Sequence, residues 1–381
     1  MALPAKVYWA KLQKELKGKS QPEQINILRQ HVMAWPPWND IQYRKMREQA
    51  EKMLHKLETN ETVKSSKGHQ DLFHIKRQGD GQFCLVGLTN SGKSAIASTL
   101  TAAPAEVADY AFTTQHPIPG MLDHRGAALQ IIDTPALVAG TSEGEGAGRR
   151  LLHLISMADA SGIVIDLSQD LLEQMNTMVR ELSAAQIQIL PHPVRTELHL
   201  RSKGGIKFTG HPIAKDDQSE ARQILASAEI AHAEIRIRED FSANELVAQV
   251  VHKHLLPSVI IANKNDVPEA KNALDTLRQA FPAYPIVDVN FLDEVHFDLL
   301  KDYIFRMVGL VRLFVLDKPD QDAERTRLVL PKASTIAEVA QKLSELEIHA
   351  ANLWGASVKY AGQEVGIDHI VEDGDLIYLQ G

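Results

Sequence analysis

The chain has 381 residues, 44% hydrophobic and 24% charged, enough for two or three domains with cores of their own and ordinary for a globular protein. A single cysteine, Cys84, rules out an intramolecular disulfide framework, and no apolar run reaches the ~18 residues of a transmembrane helix, so a cytoplasmic protein without membrane attachment is expected. Net charge is −8, yet residues 1–77 hold 15 Lys/Arg against 8 Asp/Glu, so an arm of +7 precedes a body of −15.

That asymmetry suggests a polyanionic partner such as RNA; a solvated helical surface has the same composition. Residues 21–33 read as helical, and Pro36 and Pro37 break the stretch. In "NDIQYRKMREQAEKMLHKLE", 39–58, Ile41, Met46, Met53, Leu54 and Leu57 recur near helical spacing behind a cap at Asn39 or Asp40. Polar residues 59–70 read as a linker, so residues 1–70 are expected to form a basic helical arm.

Specific chemistry begins at "QFCLVGLTNSGKSAIASTL", 82–100. Phe83 to Val86 read as a short buried strand, and Gly87, Gly92, Lys93 and Ser94 match G-x-x-x-x-G-K-[ST] ahead of an apolar helix. Such a loop wraps phosphates in backbone N–H groups, its lysine neutralises the β- and γ-oxygens, and its hydroxyl suits Mg2+. Gly87, Asn90, Ser91, Gly92, Lys93, Ser94 and Ala95 are therefore the candidate phosphate-binding residues.

A second strand closes at Asp133 in "LQIIDTPALVAG", 40 residues after Lys93, where a carboxylate can hold the Mg2+ water shell. The Asp-x-x-Gly pattern of a nucleotide switch has Ala136 in its glycine position, which keeps the backbone N–H but loses free access to φ > 0, at roughly 1 kcal/mol if that conformation is needed. A third strand, "SVIIANKND", 258–266, ends in Asn-Lys-x-Asp. Asp266 can accept from the N1 and N2 hydrogens of guanine, which adenine lacks; Asn263 would brace the loops, and the Lys264 stem would lie along the base. Arg149 and Arg150 could serve as an internal arginine finger or pair with Glu143 and Glu145. The 16 histidines show no metal-ligand spacing, so no metal beyond Mg2+ is expected.

From Val164 to Asn263 the chain spends 99 residues where one crossover helix needs far fewer. The surplus, about 178–250, carries strand patterns ("TELHLRS", "GGIKFTG", "AEIRIRE") and a helix at 218–229, and is expected to be a small inserted α/β subdomain. Residues 78–177 and 251–310 would form the P-loop core. Residues 311–381 hold a strand, a helix capped by Ser334 or Thr335, and late short strands, the pattern of a β-grasp domain.

These motifs, with "VADYAFTTQHPIPGML", "SEGEGAGRRLLHLISMADASGIVIDLS", "GGIKFTG" and "LWGASVKYAGQEVGIDHIVEDGDLIYL", resemble the Obg-related GTPases, specifically the developmentally regulated GTP-binding (DRG) branch, from about residue 82 to the end. The resemblance implies an α/β P-loop GTPase core with the insertion, an N-terminal helical arm and a C-terminal TGS-like domain that contacts RNA or ribosomes. It implies that Thr114, rather than Thr113, meets Mg2+ and the γ-phosphate, so that Ser94, Thr114 and Asp133 would hold the metal and Lys93, Thr114 and Asp133 would serve catalysis. It departs from the family at the fifth motif, where Asn290 and Phe291 replace a guanine-contacting Ser-Ala, leaving a backbone N–H of that loop for guanine O6. In related P-loops an asparagine at the Asn90 position helps hold K+ beside the phosphates. The function implied is slow hydrolysis of GTP to GDP and phosphate with Mg2+ and K+, in a switch bound to ribosomes or structured RNA and open to a regulatory protein partner; the alternative is a non-hydrolysing guanine-nucleotide-binding scaffold.

Overall fold

β1 (Gly81–Gly87) is buried along its whole length, as a strand must be with neighbours on both sides and helices on both faces. It pairs in parallel with β3 (Ala127–Asp133) and β4 (Ala160–Asp166). β4 continues to β9 (His254–Asn263), and β9 to β10 (Ile286–Asp288), again in parallel. β2 (Ile118–His124) closes the other side, antiparallel to β3, giving the order β10-β9-β4-β1-β3-β2. Alternate residues feed two cores: Cys84 and Val86 pack under α2 (Ala147–Ser156), α3 (Leu171–Ala184) and α6 (Ala270–Ala280), while Phe83 and Leu85 pack under α1 (Lys93–Thr101) and α7 (Glu294–Val308). The parallel strands put all their C-terminal ends along one edge of the sheet, where ligands of such folds bind.

The computed structural model describes Leu12, Glu15, Leu16, Gln24, Ile25, Ile27, Leu28 and His31, then residues 73–101, 116–144, 146–266, 270–291, 294–320, 324–343 and 348–381. Two units are distinguished, Met1–Asp71 and Leu72–Gly381. In the first, the described residues are helical, Leu12, Leu16 and Leu28 are buried, and His31 Nε2 lies 2.7 Å from Glu15 Oε2. The helix expected at 39–58 and the linker at 59–70 lie outside the described residues.

The inserted segment differs from its expected bounds at the start. Residues 178–184 belong to α3, and β5 (Ile187–Leu190) pairs with the first half of β9, so both lie in the main layer. Ile187–Leu190 is a four-residue apolar run, too short for periodicity to say which sheet receives it. The separate sheet begins at β6 (Thr196–Leu200) and is completed by β7 (Ile206–Gly210) and β8 (Ala233–Ile237) in the order β6-β8-β7. Its helices are α4 (Lys215–Ser227), which starts three residues before the expected 218 with Asp216 and Asp217 at its positive end, and α5 (Ala243–Val250).

The last five strands are β11 (Leu310–Leu316), β12 (Arg325–Pro331), β13 (Ala350–Trp354), β14 (Gln363–Gly366) and β15 (Leu376–Gln380), ordered β12-β11-β15-β13-β14. A parallel β11–β15 pair inside otherwise antiparallel neighbours, crossed by α8 (Ile336–Lys342), is the β-grasp arrangement. Thr335 caps α8 in a reciprocal capping box with Glu338. The inserted sheet leans on this lobe: Arg236 donates to both Glu338 oxygens at 2.7 Å and to the Ala333 carbonyl at 3.2 Å, and Arg238 bonds the Lys332 carbonyl. Among the described residues no helix is long and apolar enough to cross a membrane.

Candidate functional site

The loop after β1 turns into α1 through Asn90 (φ 61) and Gly92 (φ 93), two left-handed residues in three positions. Asparagine tolerates that conformation better than most residues, and glycine adopts it freely. Gly92 is needed for a second reason: a Cβ there would lie 2.0 Å from Asn263 Nδ2. Asn263, at the end of β9, donates that amide to the Ser91 carbonyl at 2.8 Å, so the Asn-Lys-x-Asp segment braces the glycine-rich loop.

Lys93 Nζ folds back onto the Gly87 and Leu88 carbonyls at 3.0 and 2.9 Å, and the Gly87 carbonyl also accepts from the Leu137 N–H at 3.1 Å. Burial pushes the Lys93 ammonium down to about 8, with nearby Asp133 opposing the shift. Ser94 Oγ donates to Asp133 Oδ2 at 2.6 Å, bringing residues from α1 and β3 together. Ser91 Oγ is buried without a hydrogen-bond partner, and the exposed Asn90 side chain shows no hydrogen bond.

Beyond Asp133, Thr134 Oγ1 donates to the Leu85 carbonyl at 2.6 Å and Leu137 is fully buried in the core, pinning the segment on both sides of Ala136. Ala136 is not among the residues with positive φ. The strain expected from its methyl therefore does not arise in this conformation. Further on, buried Glu181 of α3 accepts from the Gly140 N–H (2.8 Å), the Ser142 N–H (2.8 Å) and the Ser142 hydroxyl (2.7 Å), fixing the far end of the same loop.

Lys264 adopts φ 62, and its Nζ lies 2.6 Å from Oδ2 of Asp166. Asp266 is exposed in the turn that follows. Asn290 and Phe291 follow β10, whose register sets Asp288 beside Ala262, so their loop emerges alongside the Asn-Lys-x-Asp turn. Phe291 is exposed and its ring lies 5.4 Å from that of Phe297. Arg149 and Arg150 are both exposed; Arg150 stacks over Phe73 at 5.3 Å and shows no ion pair with Glu143, while Glu145, Thr113 and Thr114 lie outside the described residues.

Residues from β1, α1, β3, β4, β9 and β10 thus meet at the C-terminal edge of the sheet. Asp166 and Glu181 are additions to the residues expected from the sequence, whereas Leu137 occupies the position where many switches place a water-orienting glutamine. A sequence signal existed for Asp166, since it ends the apolar run "SGIVID" as Asp133 ends its own.

Two family models match the chain: one described as a 50S ribosome-binding GTPase over residues 82–191, and one described as the C-terminal region of that domain over 203–310. A GTP-binding protein from Methanocaldococcus jannaschii is 30% identical over 81% of this chain and 80% of its own length. Developmentally regulated GTP-binding protein 1 from Xenopus laevis is 29% identical over 81% of this chain and 84% of its own. The chain belongs to the DRG family of GTP-binding proteins. The first match spans β1 to β5 of the main sheet, and the second spans β9 and β10 together with β7 and β8 of the inserted sheet. The FeoB G-domain from Methanococcus jannaschii aligns with 12% identity over 61% of this chain and 99% of its own, at a TM-score of 0.34, too low to carry an argument.

Proposed function

We propose that this DRG-family protein is a slow, Mg2+-dependent GTPase that acts as a nucleotide switch on ribosomes or structured RNA. The observation that supports it most directly is the 2.6 Å contact between Ser94 Oγ and Asp133 Oδ2 beside a buried, folded-back Lys93. Two hard oxygens held that close suit Mg2+, which takes few protein ligands and completes its shell with water and phosphate oxygens. Mg2+, when bound, would neutralise charge on the phosphate oxygens.

The residues of the chain divide the remaining work. Lys93 exchanges two carbonyl partners for phosphate oxygens, the N–H groups of 90–95 cradle the phosphates, and Thr114 would meet Mg2+ and the γ-phosphate as the family resemblance implies. Asp266 selects guanine at the base edge, Lys264 lies along the base, and the loop at Asn290 supplies an N–H near O6. Leu137, sunk in the core where many switches place a water-orienting side chain, offers no polar group to the attacking water, which supports slow hydrolysis. K+ held by Asn90 would supply part of the missing charge stabilisation. The non-hydrolysing alternative, which rests on Ala136 and Asn290, is weakened at Ala136, whose φ is not positive.

Ribosome or RNA association rests on the basic arm, on the C-terminal lobe and on the ribosome-binding description of the matching family. Single-turnover hydrolysis by the purified chain tests the chemistry. GTP but not ATP is consumed, and Ser94→Ala or Lys93→Ala abolishes the activity without lowering the melting temperature; turnover that survives either change refutes the assignment. Co-sedimentation with ribosomes should fall steeply with salt and disappear when residues 1–60 and 312–381 are deleted together.

A further inference from the structure

Asp166 closes β4 with its carboxylate almost wholly buried, at 1% exposure. Oδ1 accepts from the Ser168 N–H at 2.9 Å and the Ser168 hydroxyl at 2.6 Å; Oδ2 accepts from Gln169 Nε2 at 3.0 Å and Lys264 Nζ at 2.6 Å. Four donors satisfy the carboxylate and fix its rotamer, so it cannot turn away from the lysine. Its backbone is held as firmly: the Asp166 N–H donates to Gln174 Oε1 and its carbonyl accepts from Gln174 Nε2, both at 2.9 Å. One residue on, the Leu167 N–H donates to the Asn263 carbonyl at 3.0 Å, tying the end of β4 to the end of β9.

Lys264 needs such a partner. Its left-handed backbone carries a cost for a residue with a Cβ, and a lysine side chain loses much rotamer freedom when it is fixed. With the ammonium tied to Asp166 before any ligand arrives, the four-carbon stem is already held at its end and that ordering is not charged to binding.

We propose that Asp166 is the positioning residue of the base-recognition loop: its carboxylate holds the Lys264 stem where it can lie along a purine face. The inference rests on the guanine-nucleotide reading above. Burial works to raise the Asp166 carboxyl, but Lys264 and Ser168 outweigh it and hold the group below the usual carboxylate range.

The test is a double-mutant cycle on the full chain, read as dissociation constants and off-rates for GDP. Asp166→Asn keeps the shape and removes the charge. It should weaken GDP and GTP alike, on the order of tenfold, chiefly through faster release. Lys264→Met should weaken them similarly, and the double variant should be no weaker than Lys264→Met alone. The preference for GDP over inosine diphosphate should stay unchanged in all three, because Asp266 still meets the 2-amino group. Where Asp166→Asn lowers the melting temperature by more than a few degrees, Ser168→Ala takes its place, with a smaller loss in the same direction that also vanishes in the Lys264→Met background. Wild-type affinity in these variants, or losses that multiply in the double variant, overturns the proposal. A wild-type chain that binds no guanine nucleotide overturns the earlier reading instead.

Discussion

The Asn263 side chain and the Ser91 carbonyl meet at 2.8 Å across 172 positions of sequence, and Gly92 has no Cβ because Asn263 occupies the place where one would be. Gly92→Ala would therefore put its methyl 2.0 Å from that amide and force a left-handed alanine, at ~1–2 kcal/mol for the backbone alone. The variant is expected to lose nucleotide binding by at least tenfold, with a small drop in melting temperature. Isothermal titration with GDP checks it, and an unchanged affinity would mean the brace is dispensable.

The folded-back Lys93 makes binding sensitive to pH. Burial lowers its pKa to about 8 in the free protein, whereas phosphate oxygens favour the charged form and raise it. Below pH 7 the ammonium is already present and affinity is flat with respect to this group. Above pH 8 binding must take up a proton, so the association constant should fall by up to tenfold per pH unit, and Lys93→Met should remove that slope. GDP titrations from pH 6.5 to 9.5 in buffers of different ionisation enthalpy measure the uptake directly.

Asp266 is exposed in the absence of a base and can accept two guanine hydrogens. Asp266→Asn should weaken GTP by ~100-fold and improve xanthosine triphosphate, whose position-2 carbonyl accepts from the new amide. Competition between the two nucleotides in wild type and variant decides the matter; equal binding of ATP and GTP by the wild type would sink the assignment.

Ala136→Gly should change single-turnover hydrolysis by no more than about threefold, because position 136 does not sit at positive φ and the segment is held by Thr134 and Leu137. A gain of tenfold or more would show that the working conformation differs from this one and needs the glycine.

Replacing Na+ with K+ at fixed ionic strength should raise the hydrolysis rate. The side chain of Asn90 is exposed and makes no hydrogen bond that would explain its presence structurally, so it is available to a cation. Asn90→Ala mixes the loss of the carbonyl with left-handed strain; Asn90→Gly removes the carbonyl and keeps φ 61 accessible. The salt difference should disappear in Asn90→Gly, and equal wild-type rates in the two salts refute the cation site.

Features that depend on local pattern are legible in the chain directly. A glycine-rich loop between an apolar strand and helix, an Asp-Thr-Pro closing a second strand and Asn-Lys-x-Asp closing a third identified the core and its ligand class, because each motif satisfies its chemistry with neighbouring residues. The alternation in the last strands and the cap at Thr335 likewise announced a separate C-terminal lobe. Which distant groups share a bond emerges from the fold alone. Nothing in the spacing tells that Ile187–Leu190 joins the main sheet, that Asp166 takes Lys264, that Glu181 holds Gly140 and Ser142, or that Arg236 crosses to Glu338. Those pairings depend on long-range register and on burial, which set both the distance between charges and what leaving one unpaired would cost. Ala136 shows the same division: its identity was plain in the sequence, but its φ, and so the absence of strain, was fixed by Thr134 and Leu137 packing on either side.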